Sequence, residues 1–196
     1  MTLLVAITGG IGSGKSTFSN QIIKRKLKLH DSDVEVAKLY ERPKKNFIKH
    51  LVKIGLGNSI QNKKIYKKVI AETIFSNKEI KTNLEEYIFQ IIRKKRNQFI
   101  KKETNQKTIF FDIPLLIENN LQKEFDCVVS VISTKKNRYL RLKKSKLMTK
   151  KTFNNIIKNQ TTDKLRKKHS NILIYNNKSL KKYIININNI LDILVK

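Results

Sequence analysis

The chain has 196 residues, a length that suits one domain. Its 43 Lys and Arg against 15 Asp and Glu give a formal net charge of +28, and 39% of its residues are apolar, which excludes wholesale disorder. A single Cys excludes an intramolecular disulfide framework and thiolate zinc clusters, and it fits a reducing compartment.

The first predicted element is a buried strand, because Leu3–Ile7 is a short apolar run. This run is far shorter than the ~20 residues that a membrane-spanning helix needs. No basic region precedes it and no small-residue cleavage site follows it, so it does not resemble a signal peptide. We therefore expect a cytoplasmic protein without a membrane partner.

The glycine cluster after this strand forms a phosphate-binding motif. Residues Gly9–Ser16 fit G-x-x-x-x-G-K-[ST] at every fixed position, and a helical pattern follows them. Glycines allow a turn whose N–H groups converge on an anion, and the helix dipole adds to the attraction. Lys15 would lie along the β- and γ-phosphates of ATP and Ser16 would coordinate Mg²⁺. The predicted nucleotide-binding residues are Gly10, Ile11, Gly12, Ser13, Gly14, Lys15, Ser16 and Thr17.

Two carboxylates follow the second predicted strand, Leu27–His30. Ligands of open α/β sheets bind at the carboxyl ends of the strands, so Asp31 and Asp33 are expected to face the phosphate site. One of them would reach the acceptor hydroxyl. The alternative for either residue is a cap on the next helix, which is predicted over Val34–Tyr40.

A lysine-rich, mostly helical region extends from about Glu41 to Gln106, and it contains no convincing strand. The next predicted strand, Thr108–Phe111, ends at Asp112, as a Walker-B-like acid would, and such an acid holds Mg²⁺ directly or through water. The alternative is that Asp112 fills a turn before Pro114. Glu118 follows on the next segment, where an ordinary solvated acid is the alternative.

Two further strands are predicted at Cys127–Ile132 and Ile172–Ile174, on either side of a strongly basic helical stretch from Asn137 to Lys168. An amphipathic helix over Leu180–Val195 follows them. Phosphoryl transfer needs cations around the migrating group, and the planar fork of Arg suits phosphate better than Lys does. An ordinary solvated helix position is the alternative at each candidate. The candidates are Arg138, Arg141 and Arg166.

The excess of lysine has two interpretations. A basic patch would neutralise the phosphates of a nucleic acid. The other interpretation is compositional drift. Lys, Asn and Ile are plentiful along the whole chain, which is the composition that A/T-rich codons would produce. The lysines are scattered and do not form one arm or tail, so we favour drift and expect no nucleic-acid partner. A basic field could still attract small anionic substrates.

Strands that alternate with helices predict an α/β fold with a parallel sheet. No long polar linker separates the helical middle region, which we interpret as an insertion in a single domain. The predicted bounds are a core at 1–37 and 106–196 and an insertion at about 38–105.

The order and spacing of these motifs resemble the dephospho-CoA kinase family over nearly the full length of the chain. The phosphate loop alone would indicate only a nucleoside triphosphatase, whereas the three motifs together are specific. The matching segments are Thr8–Thr17, the D-x-D of Asp31–Asp33, Ile74–Asn77 with Leu84, the PLL-x-E segment within Asp112–Asn119, and Gln160 and Asn176.

The resemblance implies a three-layer P-loop kinase fold with a parallel sheet, a helical CoA-binding insertion and a helical lid at about 138–150. It implies transfer of the γ-phosphate of ATP to the ribose 3′-hydroxyl of dephospho-CoA. We expect the protein to be a monomer or a weak homo-oligomer.

The resemblance also implies roles for particular residues. Asp33 would act as base or orient the hydroxyl, with Lys15 and Arg141 as further catalytic residues, and Asn176 would lie near the adenine. Mg²⁺ would bind Ser16 and Asp112. The residues expected to bind the acceptor are Asp31, Asp33, Pro114, Leu115, Leu116 and Glu118.

The chain departs from the family pattern at four places. Phe89-Gln90 replaces a usual His-Pro pair, and Ser145 stands where a lid arginine is expected. The basic residue expected soon after the D-x-D is displaced to Lys38, and Lys67 replaces an arginine. Lys supplies charge without the bidentate geometry of Arg, so a lower kcat is expected.

Two other functions are compatible with parts of the sequence. A P-loop kinase could phosphorylate a nucleoside or another small hydroxyl compound, although the PLL-x-E segment counts against it. A basic nucleic-acid-binding protein with a vestigial loop would bind DNA or RNA in a salt-dependent way without ATP turnover. The lack of a known DNA-binding motif makes this the weakest alternative.

Overall fold

The computed structural model describes residues 2–62, 64–145 and 148–195. Its strands are β1 (Leu3–Gly9), β2 (Lys28–Asp31), β3 (Ile60–Gln61), β4 (Lys64–Ile65), β5 (Thr108–Asp112), β6 (Cys127–Ile132) and β7 (Ile172–Tyr175). Its helices are α1 (Lys15–Lys24), α2 (Ser32–Glu41), α3 (Lys45–Lys53), α4 (Lys67–Ser76), α5 (Lys78–Lys102), α6 (Lys135–Leu142), α7 (Lys150–Lys158), α8 (Asp163–Lys168) and α9 (Leu180–Leu194).

The chain divides into two compact units. The first comprises Met1–Asp31 and Glu103–Lys196, and the second comprises Ser32–Lys102. The insertion predicted at about 38–105 falls almost entirely within the second unit, which begins a few residues earlier, at the start of α2.

The first unit contains a five-stranded sheet in the order β2-β5-β1-β6-β7, and every neighbouring pair is parallel. Strand β1 lies at the centre, where its run of apolar residues is buried on both faces. In the sheet register Asp112 pairs with Ile7 on one side and with Asp31 on the other. The carboxyl ends of β1, β2 and β5 therefore lie at one edge, where ligands of such sheets bind.

The core of this unit lies between one face of the sheet and the helices α1 and α9. Val5 and Ile7 alternate onto this face of β1, and they belong to the same cluster as Phe18 of α1 and Ile187 of α9. Each fully buried side chain of this size contributes about 1.5–3 kcal/mol. On the opposite face, the ring of Phe111 lies 5.2 Å from that of Phe125 between centroids.

The second unit is helical around a separate apolar core. Phe47 and Leu51 of α3, Ile70 of α4 and Leu84 of α5 are buried together in it. The prediction that this region has no strand is wrong, because β3 and β4 form an antiparallel hairpin in which Ile60 pairs with Ile65. Strands of two residues are too short to produce an alternating pattern in a sequence.

The basic stretch from Asn137 to Lys168 is also more finely divided than predicted. It contains three helices, α6, α7 and α8, rather than one continuous helical run. Threonine hydroxyls cap the last two, since Thr149 accepts from the amide of Thr152 and Thr162 accepts from the amide of Leu165. Residues 146 and 147 of the predicted lid lie outside the described residues.

Among the described residues, none of the helices combines the length and the apolar character needed to cross a bilayer.

We expect the second unit to lose stability in acid through Glu35. Its carboxylate accepts hydrogen bonds from Lys38, at 2.7 Å, and from Lys95. Burial alone would raise the pKa of Glu35, but the two ammonium groups lower it overall. Because the pKa is lower in the folded state, these ion pairs stabilise the fold above the unfolded-state pKa and lose that effect as the pH falls through the folded-state value.

Glu35→Gln should therefore lower the free energy of unfolding by about 0.5 kcal/mol at neutral pH. The difference in the free energy of unfolding between the variant and the wild type should become smaller in acid. Denaturant titrations at neutral and at acidic pH measure it. An equal difference at both would contradict this origin of the stabilisation.

Candidate active site

The phosphate loop connects β1 to α1 through two glycines with positive φ, Gly12 at 70° and Gly14 at 105°. A Cβ at Gly14 would lie 2.2 Å from Nδ2 of Asn176, and one at Gly12 would lie 2.7 Å from the carbonyl oxygen of Arg138. Both the backbone conformation and the close neighbours therefore require glycine at these positions.

Side chains from α6, from the residue that follows β7 and from α9 hold the outer side of this loop. They donate to the carbonyl oxygens of the consecutive residues Ile11–Gly14. The donors are Arg138 Nε to Ile11 at 2.7 Å, Arg141 Nη1 to Gly12 at 3.0 Å, Asn176 Nδ2 to Ser13 at 2.8 Å and Tyr183 OH to Gly14 at 3.1 Å.

This anchoring orients the loop amides. In a planar trans peptide the N–H points opposite to the carbonyl of the preceding residue. Carbonyls that are tied outward therefore turn the following amides to the inner side of the loop. The amide of Ser13 closes the turn on the carbonyl of Gly10 at 3.0 Å, and those of Gly12, Gly14 and Lys15 remain to form an anion-binding nest.

Lys15 and Asp112 form an ion pair beside the loop. Asp112 is only 2% exposed, and its second oxygen accepts a hydrogen bond of 2.5 Å from the hydroxyl of Ser19. Ser19 lies one helical turn after Lys15 on α1, a spacing that brings both side chains to the same carboxylate. Ser19 was not predicted as a site residue, although its i, i+4 spacing from Lys15 was the available signal.

Ser16 and Asp112 are the residues predicted to hold Mg²⁺. Ser16 is exposed at the start of α1, whereas Asp112 is buried at the end of β5. Within the described ranges, no group of three or more His, Cys, Asp or Glu side chains could hold a metal ion. Mg²⁺ bound with a nucleotide needs only one or two protein oxygens, because phosphates and waters supply the others. A hydroxyl and a carboxylate therefore fit this ion.

Arg141 lies on the outer side of the loop. Besides Gly12 it donates to the hydroxyl of Ser133 at 3.0 Å and to the carbonyl of Asn176 at 2.6 Å. Burial lowers the pKa of the Arg141 guanidinium, and likewise that of Arg138, although an arginine remains charged. The position of Arg141 fits the anchoring of the loop.

Asn176, predicted to lie near the adenine, is buried and shares this outer position. Its carbonyl accepts from Arg141 and from the hydroxyl of Ser133. Tyr183 completes the arrangement, and burial raises its pKa well above the usual range, so its hydroxyl keeps the proton that it donates to Gly14. Ser133 and Tyr183 were not predicted as site residues, because a lone Ser and a tyrosine in an amphipathic helix give no distinctive signal.

The PLL-x-E segment packs into the first unit. Pro114 accepts a hydrogen bond of 3.1 Å from the hydroxyl of Thr8, Leu116 is fully buried and Leu115 is 43% exposed. Glu118 Oε1 accepts from the amide of Thr161 at 2.7 Å and from Arg166 Nη2 at 3.1 Å. These contacts give Leu116 and Glu118 a part in the fold, and of the two leucines only Leu115 has a largely accessible side chain.

The two residues of the D-x-D fall in different units. Asp31 ends β2 opposite Asp112. Asp33 is exposed in the first turn of α2, and it lines a cavity of about 340 Å³ within the second unit. The cavity has apolar walls that include Ile70 and Ile74. The other lining residues are Val36, Ala37, Tyr40, Lys67 and Ala71.

A parallel sheet with a phosphate loop after its central strand, followed by a lysine paired to a strand-end carboxylate, defines a P-loop nucleotide-binding protein. A model of the dephospho-CoA kinase family matches residues 3–182. A dephospho-CoA kinase from Fusobacterium nucleatum is 31% identical over 180 residues, which cover 91% of this chain and 91% of that protein. The chain belongs to the dephospho-CoA kinase family, as the motifs predicted.

Solved structures confirm the predicted fold class. A Thermus thermophilus protein superposes with a TM-score of 0.84 at 19% identity, covering 100% of this chain and 99% of that one. A dephospho-CoA kinase from Campylobacter jejuni superposes with a TM-score of 0.74 at 23% identity, covering 100% and 98%. As a member of this kinase family, the protein uses ATP to phosphorylate an alcohol group of a small-molecule substrate.

Proposed function

We propose that this protein transfers the γ-phosphate of ATP to the ribose 3′-hydroxyl of dephospho-CoA and so completes coenzyme A. The observation that carries the proposal is the phosphate loop, which has its carbonyls tied outward and Lys15 beside it, in a member of this family.

The loop supplies the donor half of the reaction. Its inner amides would bind the β- and γ-phosphates, and Lys15 would exchange Asp112 for a phosphate oxygen, because both acceptors are anions. Ser16 and Asp112 would hold Mg²⁺, which supplies positive charge that orients the two phosphates. We assign Arg141 to the positioning of the loop in place of its predicted catalytic role, and Asn176 acts with it.

The second unit would supply the acceptor half. Asp33 would accept the proton of the ribose hydroxyl or orient that hydroxyl. The cavity beside it has apolar walls and the cation Lys67, whose ammonium lies 5.2 Å from the centre of the Tyr40 ring. Such a cavity fits an acceptor that has both uncharged and anionic parts. Lys67 would attract an anionic group without the bidentate geometry of the family's arginine.

The test is ADP release from Mg-ATP with and without dephospho-CoA, with the product identified by phosphorus NMR. Release that requires dephospho-CoA and yields a 3′-phosphate supports the proposal. A panel of nucleosides and small alcohols tests the other acceptor classes in the same assay. Release with a nucleoside but not with dephospho-CoA would overturn the substrate assignment, and no release with any acceptor would overturn the activity.

A further inference from the structure

One side chain contacts the phosphate loop with the opposite polarity from the others. Gln160, between α7 and α8, uses Oε1 to accept a hydrogen bond from the amide of Ile11 at 2.9 Å. The same oxygen accepts from Arg138 Nη2 at 3.3 Å, while Arg138 Nε donates to the carbonyl of Ile11 at 2.7 Å. Gln160 and Arg138 thus hold both backbone polar groups of Ile11, the residue directly before the turn at Gly12.

Glu118 and Arg166 fix the backbone that carries Gln160. The amide of Thr161, which shares a planar peptide with the carbonyl of Gln160, donates to Glu118 Oε1. Arg166 also donates to this oxygen, and it is only 1% exposed. Its other terminal nitrogen donates to Asp163 at 3.1 Å. A buried arginine shared by two carboxylates is a rigid support for its neighbours.

The contacts form one continuous series. Glu118 lies on the segment that follows β5, its oxygen holds the Gln160–Thr161 peptide, and the side chain of Gln160 reaches the loop. Glu118 is thereby connected to the phosphate loop without contacting it. Glu118, which was predicted to bind the acceptor, thus contacts the peptide next to the side chain that holds the loop.

We propose that Gln160 is a positioning residue that keeps the phosphate loop in its nucleotide-binding conformation, and that Glu118 and Arg166 act through it. The inference rests on the proposed function, because the benefit of a positioned loop is affinity for ATP. It differs from a role in the acceptor site, which would change the affinity for dephospho-CoA.

Gln160→Met and Gln160→Glu separate the acceptor oxygen from the size of the side chain. Met removes the acceptor oxygen and with it the hydrogen bonds from the Ile11 amide and from Arg138. This loss should raise the Kd for ATP about tenfold. Glu keeps an acceptor oxygen beside Arg138, so the Kd of this variant for ATP should stay within about threefold of the wild-type value. The KM for dephospho-CoA should change less than about twofold in both.

Glu118→Gln tests the connection, because it keeps the oxygen for Thr161 but removes the charge that pairs with Arg166. It should raise the Kd for ATP about threefold in the wild type and hardly at all in Gln160→Met, since coupled residues are non-additive. The matched control is Asn159→Ala, whose amide donates to Asn155 and not to the loop. Calorimetric titration with ATP gives these Kd values without turnover.

The outcomes distinguish this inference from the proposed function. A wild-type protein that does not bind ATP contradicts the function. A wild type that binds ATP and a Gln160→Met variant that binds it equally well contradict the inference. Additive effects of Glu118→Gln and Gln160→Met on the Kd for ATP would contradict the role of Glu118. A Gln160→Glu variant that binds ATP as weakly as Gln160→Met would contradict the role of the acceptor oxygen.

Discussion

Lys15→Met should lower kcat by about a thousandfold, the typical cost of removing a charged donor from a phosphoryl-transfer site. Met has a similar length and no charge. In the proposed mechanism the ammonium lies beside the oxygens on which negative charge develops. Its loss therefore destabilises the transition state more than it destabilises the complex with ATP. The measurement is steady-state ADP release with ATP and dephospho-CoA both varied.

Lys15→Met also leaves the buried carboxylate of Asp112 with Ser19 but without its cation. The double variant Lys15→Met/Asp112→Asn removes that unpaired charge, and a melting temperature close to the wild type would show that the fold is retained. Lys24→Met, on an exposed turn of the same helix, is the matched control and should keep full activity. A Lys15→Met variant within about tenfold of the wild-type rate would contradict the role of the ammonium.

The centre of the parallel sheet could be predicted because its three middle strands are buried on both faces. Such strands appear as continuous apolar runs, and β1, β5 and β6 were found within a few residues of their bounds. The hairpin of β3 and β4 could not be found, because two residues do not define a period. The three helices between β6 and β7 were predicted as one helical stretch, because lysine is a good helix former and gives no signal at their ends. Thr149 and Thr162, which are ordinary N-cap residues, were the available signals.

The inner side of the site could be predicted because it is local in the chain. The loop and the first turn of α1 form one segment, and its pattern of glycines followed by Lys and Ser is specific for phosphate binding. The contacts on the outer side could not be predicted, although several of their residues were candidates, because Arg138 and Asn176 lie 127 and 163 positions from the loop carbonyls that they hold. Arg141 has the right residue type for phosphate, and only the tertiary structure shows that it faces carbonyl oxygens.

Asp33→Asn should lower kcat by about a hundredfold to ten-thousandfold, which is the range for a general base. Asn keeps the size and a hydrogen-bonding oxygen but cannot take the proton of the ribose hydroxyl. The affinity for ATP should change less than about threefold, because in the proposed mechanism the donor phosphates contact the loop amides and Lys15. Single-turnover measurements with saturating substrates would place the loss in the chemical step.

Glu35→Gln is the matched control for this change, since Glu35 lies in the same first turn of α2 and its carboxylate pairs with Lys38 and Lys95. The same loss of charge at Glu35 should leave kcat within about twofold of the wild type. Equal losses in both variants would indicate a general effect of charge on the second unit. Near-normal turnover by Asp33→Asn would exclude its carboxylate as the base, and Asp31, at the end of β2, would become the next residue to replace.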